Sequence, residues 1–148
     1  MIDTLLTSPD SGALRLSVCM MARDEAALLP GALASVADLA DEIVLVDTGS
    51  SDATPEIARA AGARVHHHPW EHDFSRHRNQ SLGYATGDWV LVLDADERVA
   101  LEPDLTPAAL KAELAALPAA LPTGCNAAAL RLTDLRAGRP VMTCLTVR

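Results

Sequence analysis

Aromatic side chains are nearly missing from this chain: two tryptophans, one tyrosine and one phenylalanine among 148 residues. Alanine and leucine supply the hydrophobic content instead, which suits helices packed on a sheet better than an all-β sandwich. Basic residues are also few, 12 against 20 acidic ones, for a net charge of −8. That balance excludes a general nucleic-acid binder, which needs a basic face to displace counterions, and attachment to anionic lipid by charge alone. Cysteine occurs three times, at Cys19, Cys125 and Cys144, an odd number without metal-type spacing. Reduced, buried thiols in a cytoplasmic protein are the expectation. No apolar run approaches the roughly eighteen residues of a membrane span, and no basic stretch precedes an apolar one at the N-terminus. We therefore expect no transmembrane segment and no secretion. Gly-x-Gly-x-x-Gly is absent as well, which removes a dinucleotide-binding oxidoreductase.

Against these absences stands Trp89-Val90-Leu91-Val92-Leu93-Asp94-Ala95-Asp96-Glu97. Five apolar residues in a row read as a strand buried on both faces, and the acids fall where it emerges at the sheet edge. Open α/β sheets bind their ligands at that edge. Three carboxylates so close repel one another, and they are best tolerated facing water or holding a cation.

The rest of the chain repeats the strand-helix alternation. Residues 14–21 read as a first strand and 25–38 as a helix, with Pro30 tolerated in its first turns. Residues 43–46 form a second strand, followed by the turn-rich loop 47–52, in which Gly49 is a turn residue and Asp52 or Thr54 caps a helix reaching Ala61. Gly62 closes that helix, 64–67 is a short third strand, and 74–85 is a helix stopped by Gly87. Four strands separated by helices make βαβ units and a mostly parallel sheet. Beyond Asp96 prolines punctuate an alanine-rich helix over 106–117, and 127–132 and 141–147 read as strands joined by a turn at 137–140. These open a second layer, and the end of the chain inside a strand suggests an incomplete C-terminal part. The expected organisation is a lead over 1–13, a nucleotide-binding-type α/β half over 14–99, and a further portion over 100–148.

Successive parallel strands deliver their C-terminal ends to one side, so the loops at 22–25, 47–52 and 94–97 should meet there. Asp47, Asp94, Asp96 and Glu97 would be costly together without compensation. Hard oxygen ligands of this kind suit Mg²⁺ or Mn²⁺ bridging a diphosphate, with Arg23, Arg76 and Arg78 taking up the remaining phosphate charge.

The series Ala22-Arg23-Asp24-Glu25, Val46-Asp47-Thr48-Gly49-Ser50-Ser51-Asp52, Phe74-Ser75-Arg76-His77-Arg78-Asn79 and Leu93-Asp94-Ala95-Asp96-Glu97 resembles family-2 glycosyltransferases of the GT-A fold. Within them it is most similar to the bacterial group resembling lipopolysaccharide-core β-glucosyltransferases. The resemblance covers residues 14–99, which it implies to be a nucleotide-sugar-binding α/β half, with 100–148 the start of an acceptor-side portion. It implies an inverting transfer of sugar from a nucleotide donor, a UDP-sugar, to an acceptor hydroxyl, in cell envelope polysaccharide biosynthesis. It further implies Ala22, Arg23, Glu25, Asp47, Arg78, Asn79 and Asp94 at the donor, and a Mn²⁺ or Mg²⁺ ion on Asp96 with Asp94 and Glu97. The location implied is the cytoplasm, or the inner face of the membrane as a peripheral protein. The acceptor, whether saccharide, lipid-linked or protein, is not specified.

Two departures stand out. Many relatives carry two consecutive acids where this chain has Asp47-Thr48, and an aromatic where it has Arg23, whose guanidinium could stack on the base instead. The family's general base belongs to a motif further downstream than this chain extends, so no catalytic residue is assigned. A non-catalytic nucleotide-binding or interaction module is the alternative. A haloacid-dehalogenase phosphatase also places Asp-x-Asp after a strand, but after its first strand, and Arg98 stands where it has a small hydroxyl residue. A nucleotidyltransferase would need a glycine-rich basic loop after the first strand. His66, His67 and His68 alternate faces on a strand and cannot share one ion. Trp70 and Phe74 read as loop anchors against the core, and Arg76 as a solvated side chain. The stretch 141–147 reads as an unprotected edge strand that would favour a homo-oligomer.

Overall fold

The computed structural model describes residues 14–101, 103–120, 127–134 and 139–147. Its elements run β1 (Leu16–Ala22), α1 (Leu29–Val36), β2 (Glu42–Asp47), α2 (Thr54–Ala60), β3 (Arg64–His67), α3 (Phe74–Tyr84), β4 (Trp89–Val92), α4 (Pro107–Ala120), β5 (Ala127–Asp134) and β6 (Arg139–Val147). The strands form one sheet in the order β3-β2-β1-β4-β6-β5. The first four in that order are mutually parallel, whereas β6 runs antiparallel to both β4 and β5.

Side-chain alternation along β1 splits the core in two. Leu16, Val18, Met20 and Ala22 face α1, α2 and α4, where they pack with Leu29, Leu33, Val36, Ala58, Leu110 and Leu114. Cys19 turns to the opposite face and packs with Val44, Val90 and the end of α3 around Leu82 and Ala85. The second face is smaller and more polar: His77 and Ser81 on α3 are fully buried there. Both faces of the central strands are thus covered, as continuous apolar runs require.

The sheet order places the ligand edge. From β1 the chain steps outward through β2 to β3, then returns to add β4 on the other flank of β1. The reversal opens a crevice between the ends of β1 and β4, the topological switch point where such sheets take ligands.

Several sequence expectations are corrected. The first helix begins at Leu29 and not near Glu25, because residues 24–26 are drawn out by hydrogen bonds to Ser50, Ser51, Asp52 and Thr54. Gly87 does not stop α3, which ends one turn of chain earlier at Tyr84. It instead allows close approach to β1, since a Cβ there would lie 2.8 Å from both Arg15 O and Ser17 N. Helix α4 runs past residue 117 to Ala120. The last two strands do not begin a second layer but extend the same sheet, and β6, expected at an edge, lies between β4 and β5. The self-association argued from an exposed 141–147 edge loses its basis. Residues 1–13 and the first half of the expected turn, 137–138, lie outside the described residues, and 139–140 belong to β6. Among the described residues no helix is long and apolar enough to cross a membrane.

Candidate functional site

At the C-terminal edge of β1, β2 and β4 lies a cleft of about 380 Å³. Ala22, Arg23 and Glu25 line it from the end of β1, Thr48 from β2, Trp70 and Phe74 from the segment entering α3, and Asp94 and Asp96 from β4. The three loops expected to meet do meet. A larger groove of about 570 Å³ between α1 and α2 is lined chiefly by alanine and other small residues. Its two acids, Asp41 and Glu42, are already bound to Lys111 and Arg64.

The loop after β1 is pinned to the loop after β2. Asp24 adopts φ 54°. In that conformation its N–H donates to Ser50 Oγ at 3.0 Å and its Oδ1 accepts from the Ser51 N–H at 2.7 Å. Glu25 N–H donates to Thr54 Oγ1 at 2.8 Å, and Ala26 N–H to Asp52 Oδ2 at 3.0 Å. Asp52 thus bridges the loops, and its Oδ1 also accepts from the Thr54 N–H at the start of α2. Hydrogen bonds from Ser51 hold the Asp24 carboxyl below the ordinary carboxylate range, and those from Thr54 do the same for Asp52.

Asp47, the last residue of β2, is buried beside the cleft and does not line it. Its carboxylate accepts from Ser50 N–H at 3.2 Å and pairs with His67 Nδ1 at 3.0 Å. Burial alone would raise its pKa, but hydrogen bonds from Ser50, His67 and Gly49 outweigh it and keep the acid ionised. The loop it holds passes through Gly49 at φ +104°, a conformation that suits glycine.

The acidic loop after β4 is a tight turn. Glu97 N–H donates to Asp94 O at 3.0 Å, while Glu97 Oε2 folds back to accept the Asp94 N–H at 3.0 Å. Asp94 Oδ1 accepts from Arg78 Nη2 at 2.7 Å. The other terminal nitrogen of Arg78, Nη1, is buried without a hydrogen-bond partner. Asp96 is exposed, and no hydrogen bond or ion pair engages its carboxylate among the described residues. Asn79 is exposed on α3 outside the cleft.

The four acids therefore do not gather on one point. Among the described residues no three Asp, Glu, His or Cys side chains are placed to hold a single metal ion. Glu97 is turned into its own loop, and Asp47 is committed to His67 and the Ser50 turn. The histidines divide as alternation requires: His66 stacks on Tyr84 with centroids 3.6 Å apart, His68 Nε2 lies 2.9 Å from Tyr84 OH, and His67 faces Asp47.

Two readings from the sequence change. Phe74 is no core anchor: it is 67% exposed, set edge-on to Trp70 at 5.0 Å. Trp70 in turn stacks on the buried ring of His77 at 5.1 Å, so both aromatics are held at the cleft. Arg76 pairs with Glu71 and takes no part in the cleft. Thr48 and Arg98 were not singled out for the site from sequence. Thr48 occupies a position where the eye expects a second acid, and Arg98 acts through backbone carbonyls, which leave no mark in the sequence.

A four-stranded parallel sheet flanked by helices, with its cleft at the β1–β4 reversal, defines an α/β domain of the GT-A, Rossmann-like type. Residues 17–116 match the family described as Glycosyl transferase family 2, and the chain belongs to that family. A TPR repeat-containing protein of Synechococcus elongatus is 58% identical over 88 residues, which is 60% of this chain and 22% of that protein. Among solved structures, glucosyl-3-phosphoglycerate synthase from Mycobacterium tuberculosis in complex with UDP is 26% identical, with TM-score 0.54, covering 77% of this chain and 43% of that one. The mannosyltransferase PcManGT from Pyrobaculum calidifontis, in complex with GDP-Man and Mn²⁺, shares the fold at 20% identity and TM-score 0.63, covering 93% of this chain and 46% of that one. The chain thus spans less than half the length of each of these proteins.

Proposed function

We propose that the chain forms the donor-binding half of an inverting glycosyltransferase that takes a nucleoside-diphosphate sugar, a UDP-sugar, with Mn²⁺ or Mg²⁺. The observation that carries this reading is the cleft itself, which brings an aromatic and hydroxyl end, Trp70, Phe74 and Thr48, to the same space as Asp94 and Asp96. A flat base suits the first end. A diphosphate suits the second only with a cation between it and the acids. The UDP complex of the mycobacterial synthase supports a uridine donor.

The donor set fits a metal of this class. Mg²⁺-type ions are commonly bound by one or two carboxylates plus substrate phosphates and water, not by a closed protein cage. Asp96, unengaged at the cleft, and Asp94 beside it are the residues that would hold the ion; Glu97 would act by shaping the turn. When bound, the metal supplies charge stabilisation to a departing nucleoside diphosphate. Arg78 orients Asp94 through Nη2, 2.7 Å from Oδ1, and so holds that carboxylate at the diphosphate end. Arg23 and Glu25 flank the base or ribose, and Asp47 serves by fixing the turn that presents Thr48.

Calorimetric titration with UDP and UDP-glucose, with Mn²⁺ or with chelator, tests the reading. Binding that requires metal and is lost in Asp96→Asn is the expected result. A folded chain that binds neither ligand under either condition would overturn it.

A further inference from the structure

Arg98 follows the acidic turn and, among the described residues, pairs with no carboxylate. Its guanidinium donates from Nη1 to Ala95 O at 3.1 Å and Glu97 O at 2.6 Å, and from Nη2 to Leu28 O at 2.6 Å. Two of these acceptors belong to the turn that carries Asp96. The third belongs to the segment between the Arg23 loop and α1. That segment is itself tied to the loop after β2 through Glu25, Ala26 and their partners. Arg98 is therefore a side-chain link between the acidic turn and the other two walls of the cleft.

Room for this link exists because residue 31 has no side chain. A Cβ at Gly31, inside α1, would lie 2.7 Å from Arg98 Cζ, closer than non-bonded carbons approach. The guanidinium, at the end of a flexible side chain, would be the group that yields. Glycine is otherwise a poor choice within a helix, where alanine is favoured by its smaller loss of backbone freedom.

We infer that Arg98 and Gly31 together form a positioning device: the guanidinium, seated over Gly31, sets the acidic turn at the orientation in which Asp96 can meet a metal-bound diphosphate. The inference rests on the donor reading above. Charge-assisted bonds to three carbonyls from two nitrogens of one rigid plane fix that turn more firmly than single neutral bonds would. A lysine at 98 keeps the charge but not the fork that reaches both segments.

The test uses Gly31→Ala and Arg98→Lys in the full chain, with two readouts. The first is hydrogen–deuterium exchange at the amides of Asp94 and Glu97 without ligand; the second is UDP affinity with Mn²⁺ and with chelator. Both variants are expected to exchange these two amides about tenfold faster while amides of β1 and β2 are unchanged. Both should also lose about tenfold in metal-dependent affinity while the chelator value stays as in the parent. A purely structural role predicts the opposite sign for Gly31→Ala, a helix made more stable with the turn undisturbed. Parent-like exchange in either variant, or faster exchange with metal-dependent affinity retained, would overturn the inference and leave the donor reading intact. A parent chain that binds no UDP overturns both.

Discussion

The carboxylate of Asp47 lies 3.0 Å from Nδ1 of His67, and the two residues are direct partners in the parallel register of β2 and β3. Arg59 Nη2 stands 2.6 Å from the other ring nitrogen of His67. Both ring nitrogens of His67 are thus engaged, Nδ1 with Asp47 and Nε2 with Arg59. The aspartate most readily taken from the sequence for a ligand contact is thus an anchor of its loop.

That anchoring makes the fold acid-sensitive. Asp24, Asp41, Glu42, Asp47 and Asp52 all have pKa values lowered in the folded chain, so the unfolded chain takes up their protons first. Their contribution is complete above the ordinary carboxylate range and is lost as pH falls through the lowered values. His66 is lowered from 6.5 by burial, Arg64 and the neighbouring histidines, so it opposes folding once the unfolded chain can protonate it. Scanning calorimetry from pH 8 to 3 should show a thermal midpoint that slips below about pH 6.5 and falls steeply below about pH 4. A midpoint that rises between pH 7 and 5 would contradict this account.

Ser17 is fully buried, donating to Glu42 Oε2 at 2.6 Å and accepting from the Gly87 N–H at 2.8 Å. Ser17→Ala leaves that amide and part of that carboxylate unsatisfied, at a cost of about 1–3 kcal/mol. Gly87→Ala drives a methyl against Arg15 O and Ser17 N, backbone atoms that cannot swing aside, with a similar cost of about 1–3 kcal/mol. Urea denaturation of both single variants and the double one should show less than additive loss, because the two residues share contacts.

The exposed Phe74 separates binding from stability. Phe74→Ala should shift unfolding free energy by no more than about 0.5 kcal/mol, the range of an exposed substitution. UDP affinity should drop about fivefold, corresponding to loss of a contact worth about 1 kcal/mol. An affinity equal to the parent's would remove Phe74 from the base end of the cleft.

Tryptophan fluorescence gives a direct view of the same end. Trp89 is 1% exposed in the core, whereas Trp70 lines the cleft. Titration with UDP and Mn²⁺ should change the emission of the parent and leave that of Trp70→Phe flat. A change that survives in Trp70→Phe would place the ligand elsewhere.

Arg78 connects the fold to the acids. Arg78→Met keeps the packing of the stem but strips Asp94 of its partner and removes the unpaired Nη1. We expect about a tenfold weaker UDP affinity in Mn²⁺, equivalent to about 1.4 kcal/mol, with the thermal midpoint little altered. Equal affinity in isothermal titration would argue that Arg78 only balances charge.

Much of the architecture was legible because it rests on local pattern. The runs 43–46 and 89–93 read as buried strands and are, and Gly62 closed its helix at φ +84°, whereas the N-cap of α2 falls on Ala53 and not on Asp52 or Thr54. The start of α1 was misplaced because four side chains from the β2–α2 loop, distant in sequence, hold residues 24–26 out of the helix. Phe74 was misread because exposure at a cleft cannot be told from burial by residue type.

The sequence by itself determined that acids would end the β4 strand and that parallel strands would carry them to the edge where ligands bind, since both follow from apolar runs and βαβ connection. Only the tertiary structure decided which acids remain available. Asp47 is claimed by His67, Asp94 by Arg78 and Glu97 by its own turn, while Asp96 is left unengaged at the cleft among the described residues. A carboxylate's role depends on which donors lie within about 3 Å of it, and those donors come from strands and helices that the chain brings together only by folding.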